Sequence, residues 1–333
     1  MSASEAFAAD SPIGLVGDIG GTNVRFALAG RTPSGALATA FRQDMRADDH
    51  AGLAECIGAY LTSLGAAPHP AEAAFGVASP VTGDAVRLTN RDWTFSIEGL
   101  RRQFHWDRLQ VVNDFVIIGH ALPALGREHL RPLPGPDWPE ALPTVVSIVG
   151  PGTGLGVGLV VGRQGDYRVV ATEGGHASFA PLDTLEIELL RAMLRRFPRV
   201  SNERVLSGPG LENLYAAIAE VRGQGAILQG APAILDAALR GDDPLAADAV
   251  ERFALMLGGA LGDIALVHGA QAMAIAGGIA PRMLEILDSA AVRARFEAKG
   301  RAHGLLKTIP IALIVHPEPA LLGAARLMFG ATA

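Results

Sequence analysis

Two glycine/threonine turns, each set between short apolar runs, constrain this chain more than any other feature. The first is Asp18-Ile-Gly-Gly-Thr-Asn23, between Ile13–Asp18 and Val24–Ala29. The second is Gly150-Pro-Gly-Thr-Gly154, between Val145–Val149 and Val157–Val161. Apolar, β-rich runs around a glycine turn read as a β-hairpin. Their recurrence reads as a weak duplication of one supersecondary unit, and so as two lobes facing each other across a cleft. Glycine permits positive φ and close approach to a ligand, and consecutive turn amides can converge on an anion. Thr22 and Thr153 add hydroxyl donors. Either turn alone reads equally well as a tight hairpin, whereas the pair favours an anion site. The second turn lacks G-x-G-x-x-G and precedes a β-branched strand, which excludes a dinucleotide fingerprint; no G-x-x-x-x-G-K-[ST] string exists either. Asp18 sits at a strand end, where a carboxylate can hold a hydrated Mg²⁺.

At 333 residues the chain is long enough for two domains, and with 49% apolar and 19% charged residues it can bury a sizeable core. A net charge of −6 supplies no basic surplus for a nucleic-acid backbone. Cys56 is the single cysteine, which excludes an intrachain disulfide and a cysteine metal site. Only Lys299 and Lys307 stand against 26 arginines, and neither lies where P-loop or protein-kinase chemistry requires its lysine. The opening residues 1–11 are small and acidic and do not resemble a signal peptide. Ala254–Ala280, the most apolar stretch, carries Asp263 and several glycines; it reads as a buried helix and strand rather than a membrane span. The chain is therefore expected in the cytoplasm.

Strand and helix patterns alternate, which gives an α/β class. A helix is expected from Asp48, with Leu53, Ile57, Tyr60, Leu61 and Leu64 on one face, then strands at Ala73–Ala78 and Leu109–Val112. Helices are expected from Asp183, from Pro209, and over Pro244–His268 and Pro319–Phe329. Strands are expected at Gln271–Ala276 and Ile309–Val315, and the Pro-rich stretch Gly126–Pro143 is the candidate domain joint.

Asn113-Asp114 ends a buried strand and opens a helix. A carboxylate there can accept the proton of an alcohol nucleophile, though both residue types are also favoured helix caps. Glu173-Gly-Gly-His176 and Glu203 supply acceptors suited to a neutral polyol. Equally, Glu203 can be first-turn helix charge and His176 a structural histidine. Glu173 and His176 have no third ligand at zinc spacing.

Taken together, these segments resemble the bacterial glucokinases, sugar kinases of the hexokinase type. Asp18-Ile-Gly-Gly-Thr-Asn23 is similar to their first phosphate loop, Gly150–Gly156 to the second, and Gly277-Gly278 to the adenosine motif. Leu-Gln-Val-Val-Asn113-Asp114-Phe, Glu173-Gly-Gly-His176-Ala-Ser-Phe-Ala-Pro and Ser201-Asn-Glu203-Arg-Val-Leu-Ser-Gly-Pro-Gly are similar to the sugar-binding segments. Ser79-Pro-Val-Thr-Gly-Asp84, Thr89-Asn90 and His316-Pro-Glu-Pro-Ala-Leu-Leu-Gly match as well, so the likeness runs from about Leu15 to Gly323.

The resemblance implies a two-lobed actin-like (ribonuclease H-like) ATPase fold with an interdomain cleft. Residues 12–124 plus 317–333 would form a small domain and 125–316 a large one. It implies ATP and Mg²⁺ as cofactors, and phosphorylation of the glucose 6-hydroxyl. Asp114 would be the base, and Asn113, Glu173, His176 and Glu203 the sugar ligands. Gly17, Asp18, Ile19, Gly20, Gly21, Thr22, Gly152, Thr153, Gly154, Gly277 and Gly278 would hold the nucleotide, with Asp18 on the metal through water. Arg25, Asp84 and Arg204 read as supports. The resemblance also implies a homodimer. A related branch carries clustered cysteines beside its E-G-G-H motif, which Cys56 alone cannot reproduce. Another hexose, an N-acetylated sugar, a polyphosphate donor and a sugar-sensing regulator remain alternatives. The regulator is disfavoured because such proteins place a helix-turn-helix before the first strand.

Overall fold

The computed structural model describes residues 7–9, 11–65, 67, 69–89, 91–163 and 165–330; Asn90 lies outside the described residues. The chain divides into two compact units: Met1–Gly126 with Arg163–Ala171 and His316–Ala333, and Arg127–Gly162 with Thr172–Val315. Both mix strands and helices.

In the first unit β1 (Gly14–Ile19), β2 (Asn23–Arg31), β3 (Leu37–Arg46), β4 (Glu72–Val77) and β7 (Arg108–Asn113) form one sheet, ordered β3-β2-β1-β4-β7. A small hairpin, β5 (Ala85–Arg87) and β6 (Thr94–Ser96), interrupts the crossover from β4 to β7. β1 is antiparallel to β2 but parallel to β4, and β4 is parallel to β7. Because β1 is buried on both faces it reads as a continuous apolar run.

Side chains alternate along β1, so Leu15 and Ile19 enter one face and Val16 the other. The first face packs on helix α1 (Leu53–Ser63) through Phe26, Tyr60, Phe75 and Trp106, whose rings meet at 5.3–5.9 Å between centroids. Gly17 lies on that face and leaves room for rings: a Cβ there would fall 2.8 Å from Phe75 and 3.0 Å from Phe26. Helix α2 (Ile97–Gln103) starts on a Ser96 cap, and Asp84 secures it by accepting from Ser96 Oγ at 2.6 Å and Glu98 N at 2.8 Å. The opposite face packs on helix α3 (Asp114–Ala121) and the last helix, Pro319–Phe329, through Val16, Ala74, Ile117, Leu321 and Ala324.

Gly323 of the last helix meets α3 so closely that a Cβ would overlap the Ile117 carbonyl oxygen. Backbone cannot yield as a flexible side chain can. Gly323→Ala is therefore expected to cost about 2–4 kcal/mol, against the roughly 0.5–1 kcal/mol an exposed helical Gly→Ala change would gain. Urea unfolding checks this, and a midpoint equal to that of the unaltered protein would contradict the packing.

The second unit carries β8 (Leu130–Pro132), β9 (Val145–Pro151), β10 (Leu155–Arg163), β12 (Ala272–Ile275) and β13 (Ile311–Ile314), ordered β10-β9-β12-β13-β8. β11 (Asp166–Thr172) falls almost wholly in the segment grouped with the first unit. β9 and β10 form an antiparallel hairpin with β12 parallel to β9, which repeats the arrangement of β1, β2 and β4. The helices are α4 (Thr184–Leu194), α5 (Gly208–Val221), α6 (Ala231–Arg240), α7 (Pro244–His268), α8 (Leu284–Leu287), α9 (Ala290–Glu297) and α10 (His303–Leu306).

Their starts follow local chemistry. Asp183 accepts from Glu186 N, Ser207 from Gly210 N, and Asp243 from Leu245 N and Ala246 N. The core gathers Leu189, Leu211, Tyr215, Phe253, Leu257 and Phe296 around α7. No helix among the described residues is long and apolar enough to cross a membrane.

Candidate active site

The first unit brings its site residues to one edge of the sheet. Asp18 pairs in register with Gly76, and Val77 with Asn113, so β1 and β7 end together with β4 between them. Asp18 shares the β1 face of Val16, the face that α3 covers.

Asn113 is the helix cap: its side chain accepts from Phe115 N at 2.9 Å. The N-cap position is thus Asn113, and Asp114, whose sequence context also allowed that place, is the first residue of the helix. Burial, with the Asp18 charge adding to it, pushes the Asp114 carboxyl up to about 6. Asn113 Nδ2 donates to the Ser79 carbonyl at 3.4 Å, and the buried Ser79 hydroxyl accepts from Thr89 N at 2.7 Å.

Arg25 donates to Asp18 Oδ2 at 2.9 Å. Burial raises the Asp18 carboxyl above the ordinary aspartate range, and the Arg25 guanidinium pulls it part-way back. One face of the Asp18 carboxylate is thus tethered. Among the described residues no group of three His, Cys, Asp or Glu side chains forms a metal cage. A lone, partly exposed carboxylate suits Mg²⁺ that keeps most of its waters and takes other oxygens from phosphate.

The first turn is closed by Gly20 N donating to Asn23 O at 3.0 Å. Among the described residues the Gly21 and Thr22 N–H groups donate to no protein acceptor, and Thr22 is exposed. Here glycine serves closeness rather than handedness: neither Gly20 nor Gly21 takes positive φ, and a Cβ on Gly20 would lie 2.9 Å from Asn23 O. Gly17 and Ile19 are buried in the strand, so only their backbones can approach a ligand.

The second unit assembles the other residues around the β9–β10 turn. Gly152 N donates to Gly154 O at 2.8 Å, and among the described residues the Thr153 and Gly154 N–H groups have no protein acceptor. Gly277, at φ 89, abuts the Pro151 carbonyl too closely for any Cβ, which sets Gly277-Gly278 beside this turn; Gly278 faces open space.

Glu203 links the turn to the Glu173–His176 segment. Its Oε2 accepts from Leu155 N at 3.0 Å, and its Oε1 lies 3.9 Å from His176 Nδ1. His176 Nε2 in turn lies 3.7 Å from Glu173 Oε2. Glu173 and His176 are exposed, ready for a solute. Arg204 stacks on Phe197 at 4.4 Å, away from this cluster's polar groups.

Two positioning groups escaped the sequence reading. Thr172 Oγ1 donates to Val157 O at 2.8 Å and accepts from Gly174 N at 3.2 Å, which sets the Gly174–His176 turn. Arg199 donates to His176 O at 2.7 Å. A hydroxyl residue two places before a glycine is the signal for the first, since such residues fold back on nearby amides; the second has no local signal.

A family model described as Glucokinase matches residues 15–330. The chain belongs to the glucokinase family. It is 43% identical over 320 residues to a glucokinase of Caulobacter vibrioides, covering 94% of each chain, and 40% identical over 310 residues to one of Zymomonas mobilis, covering 92% of this chain and 95% of that one. Among solved structures, a glucokinase from an Antarctic psychrotroph superposes with a TM-score of 0.85 at 32% identity, covering 96% of this chain and 99% of the other. A ROK family glucokinase from Streptomyces griseus, in complex with glucose and AMPPNP, gives a TM-score of 0.62 at 20% identity over 95% of this chain and 98% of that one. That last likeness is one of fold, the actin-like ATPase fold that the sequence implies.

Proposed function

We propose that the chain phosphorylates the 6-hydroxyl of D-glucose with ATP, giving glucose 6-phosphate and ADP. The observation that carries this reading is Asp114: a carboxylate at the first position of α3, pushed up to about 6 by burial and by the Asp18 charge, at the sheet edge where β1 ends in Asp18 and leads to the Gly21 and Thr22 amides, unpartnered among the described residues. Asp114 accepts the hydroxyl proton as the oxygen attacks phosphorus. The amides of Gly21, Thr22, Thr153 and Gly154 take phosphate oxygens and oppose the charge that builds in the transition state. Asn113, Glu173, His176 and Glu203 bind the other hydroxyls, and Gly277-Gly278 admit the adenosine. Asp18 would hold Mg²⁺ through water; bound there, the ion neutralises phosphate charge. The reading extends to a cytoplasmic homodimer.

A coupled ADP-release assay over a panel of sugars and donors tests it. Turnover is expected with glucose and ATP and to fall at least tenfold with N-acetylated sugars or polyphosphate. Preference for any of those would replace the substrate assignment, and absence of turnover with all of them would remove the kinase reading.

A further inference from the structure

The loop joining β5 to β6 carries an arginine that the catalytic reading leaves without a role. Arg91 Nη1 donates to the Gly21 carbonyl at 3.1 Å and to Asp48 Oδ1 at 2.7 Å. Its guanidinium lies 4.8 Å from the Trp93 ring centre, and its Nε is buried without a partner among the described residues. An arginine placed only for stability has no reason to strand a buried donor, since that costs free energy. The orientation is set instead by the two acceptors of Nη1. We propose that Arg91 is a positioning residue that aims the first phosphate turn.

The argument is geometric. Gly21 C=O and Thr22 N–H belong to one planar trans peptide and point in opposite directions. Holding the carbonyl therefore fixes the line of the amide. The next carbonyl, that of Thr22, is held in the same way by Ala47 N at 2.9 Å. Two successive peptide planes are thus pinned through their carbonyls, and among the described residues the Thr22 N–H, opposite the held Gly21 carbonyl, has no protein acceptor. Asp48 orients the guanidinium, and Arg91 in return holds the Asp48 carboxyl below the usual aspartate range. Arginine suits this place because its rigid planar guanidinium can lie against an indole while one Nη donates to both acceptors, whereas lysine's ammonium has donors but no plane to stack.

The same loop reaches the sugar side. Thr89 is tied to Ser79 through N–H and hydroxyl at 2.7 and 3.0 Å, and Ser79 O receives Asn113 Nδ2. Arg91 and Thr89 therefore brace the phosphate turn and the strand end that carries Asp114, respectively.

This inference rests on the kinase reading for its kinetic consequence but not for its structural one, so the test has both arms. Steady-state kinetics with ATP and glucose varied, and amide hydrogen exchange without nucleotide, are measured on Arg91→Met, Arg91→Lys and Asp48→Asn, with Arg87→Ala at the end of β5 as control. Arg91→Met is expected to raise the KM for ATP about tenfold and lower kcat about tenfold, with the KM for glucose within about twofold. Asp48→Asn is expected to shift both in the same direction by about threefold, and Arg91→Lys to fall between the two. Exchange at residues 20–23 should quicken about tenfold in Arg91→Met and stay unchanged in Arg87→Ala. Unchanged exchange with unchanged ATP parameters overturns the proposal. So does an equal rise in both KM values with a lowered Tm across all the Arg91 and Asp48 variants, which marks a purely structural role. Quickened exchange in a protein that turns over no sugar would support the brace and fail the kinase reading alone.

Discussion

Asp114→Asn is expected to lower kcat by a factor on the order of 10²–10⁴ while the KM for glucose moves less than about threefold. The asymmetry follows from the residue's place. Asp114 is the first residue of α3, and Asn113, not Asp114, secures the helix N-terminus. An amide in its place keeps the shape and the helix but cannot accept a proton. Steady-state kinetics with glucose varied at saturating ATP measure it. A kcat within threefold of the unaltered protein would strip Asp114 of the role of base.

The same group sets a pH signature. Burial and the Asp18 charge raise the Asp114 carboxyl to about 6 from an ordinary 3.8. As base it must be ionised, so kcat/KM should climb as pH rises through about 6 and level off above 7, and this limb should vanish in Asp114→Asn. Stability runs the opposite way. A carboxyl whose folded-state value is raised favours the folded state fully below pH 4, and that contribution is lost as pH rises through about 6. Asp114→Asn should therefore be more stable than the unaltered protein at pH 8, by up to about 3 kcal/mol, and equal to it at pH 4. Activity and stability moving in opposite directions at one residue would mark a carboxylate kept for chemistry rather than for the fold.

The sequence displayed those elements whose ends are punctuated locally. Pro244–His268 and Pro319–Phe329 were legible to the residue because each opens on proline and is followed by glycine. β3 left no clear trace. It is a half-exposed edge strand whose partner β2 shifts register between Phe26 and Leu28, and Phe41 adopts a φ of 56, which breaks the alternation a strand normally shows. Helix α9 was equally silent, because its buried face includes Arg293, held by Glu297 and by the carbonyls of Leu306, Lys307 and Ile309. No apolar periodicity reveals a buried cation. Nothing in the sequence marks residues 163–171 as part of the first unit.

At the site, the turns and acids were legible as residue types in order, but the way they are held was not. The sequence offered positive φ and close approach together as reasons for glycine; Gly277 uses the first, while Gly20 in the first turn uses only the second, a property of the neighbours across space. Likewise, the bond from Leu155 N to Glu203 spans 48 residues and joins two segments that the sequence presents as separate motifs.

That bond makes Glu203 the residue where two substrates can be told apart. Its two carboxylate oxygens have different duties: Oε2 holds Leu155 N behind the β9–β10 turn, and Oε1 faces His176. Gly154 has no side chain because a Cβ there would lie 2.5 Å from Oε2. The backbone around Glu203 is fixed separately, by Glu203 N to Gly175 O at 2.9 Å and by Ser207 Oγ to Glu203 O at 2.8 Å, so truncating the side chain should leave the segment in place. Glu203→Gln retains one oxygen, which stays with the buried Leu155 N–H because an unmet buried amide costs more than a lost solvent-facing contact. Its KM for glucose should rise about tenfold while its KM for ATP hardly moves. Glu203→Ala removes both contacts and should raise both KM values. At about 1.5–3 kcal/mol for each charge-assisted bond, kcat/KM should then fall by a factor on the order of 10²–10⁴. Initial rates with each substrate varied in turn, beside a melting curve showing the Ala variant folded, decide it. Equal behaviour of Gln and Ala would mean the two oxygens do not divide the work, and a glucose KM untouched in both would remove Glu203 from the sugar site.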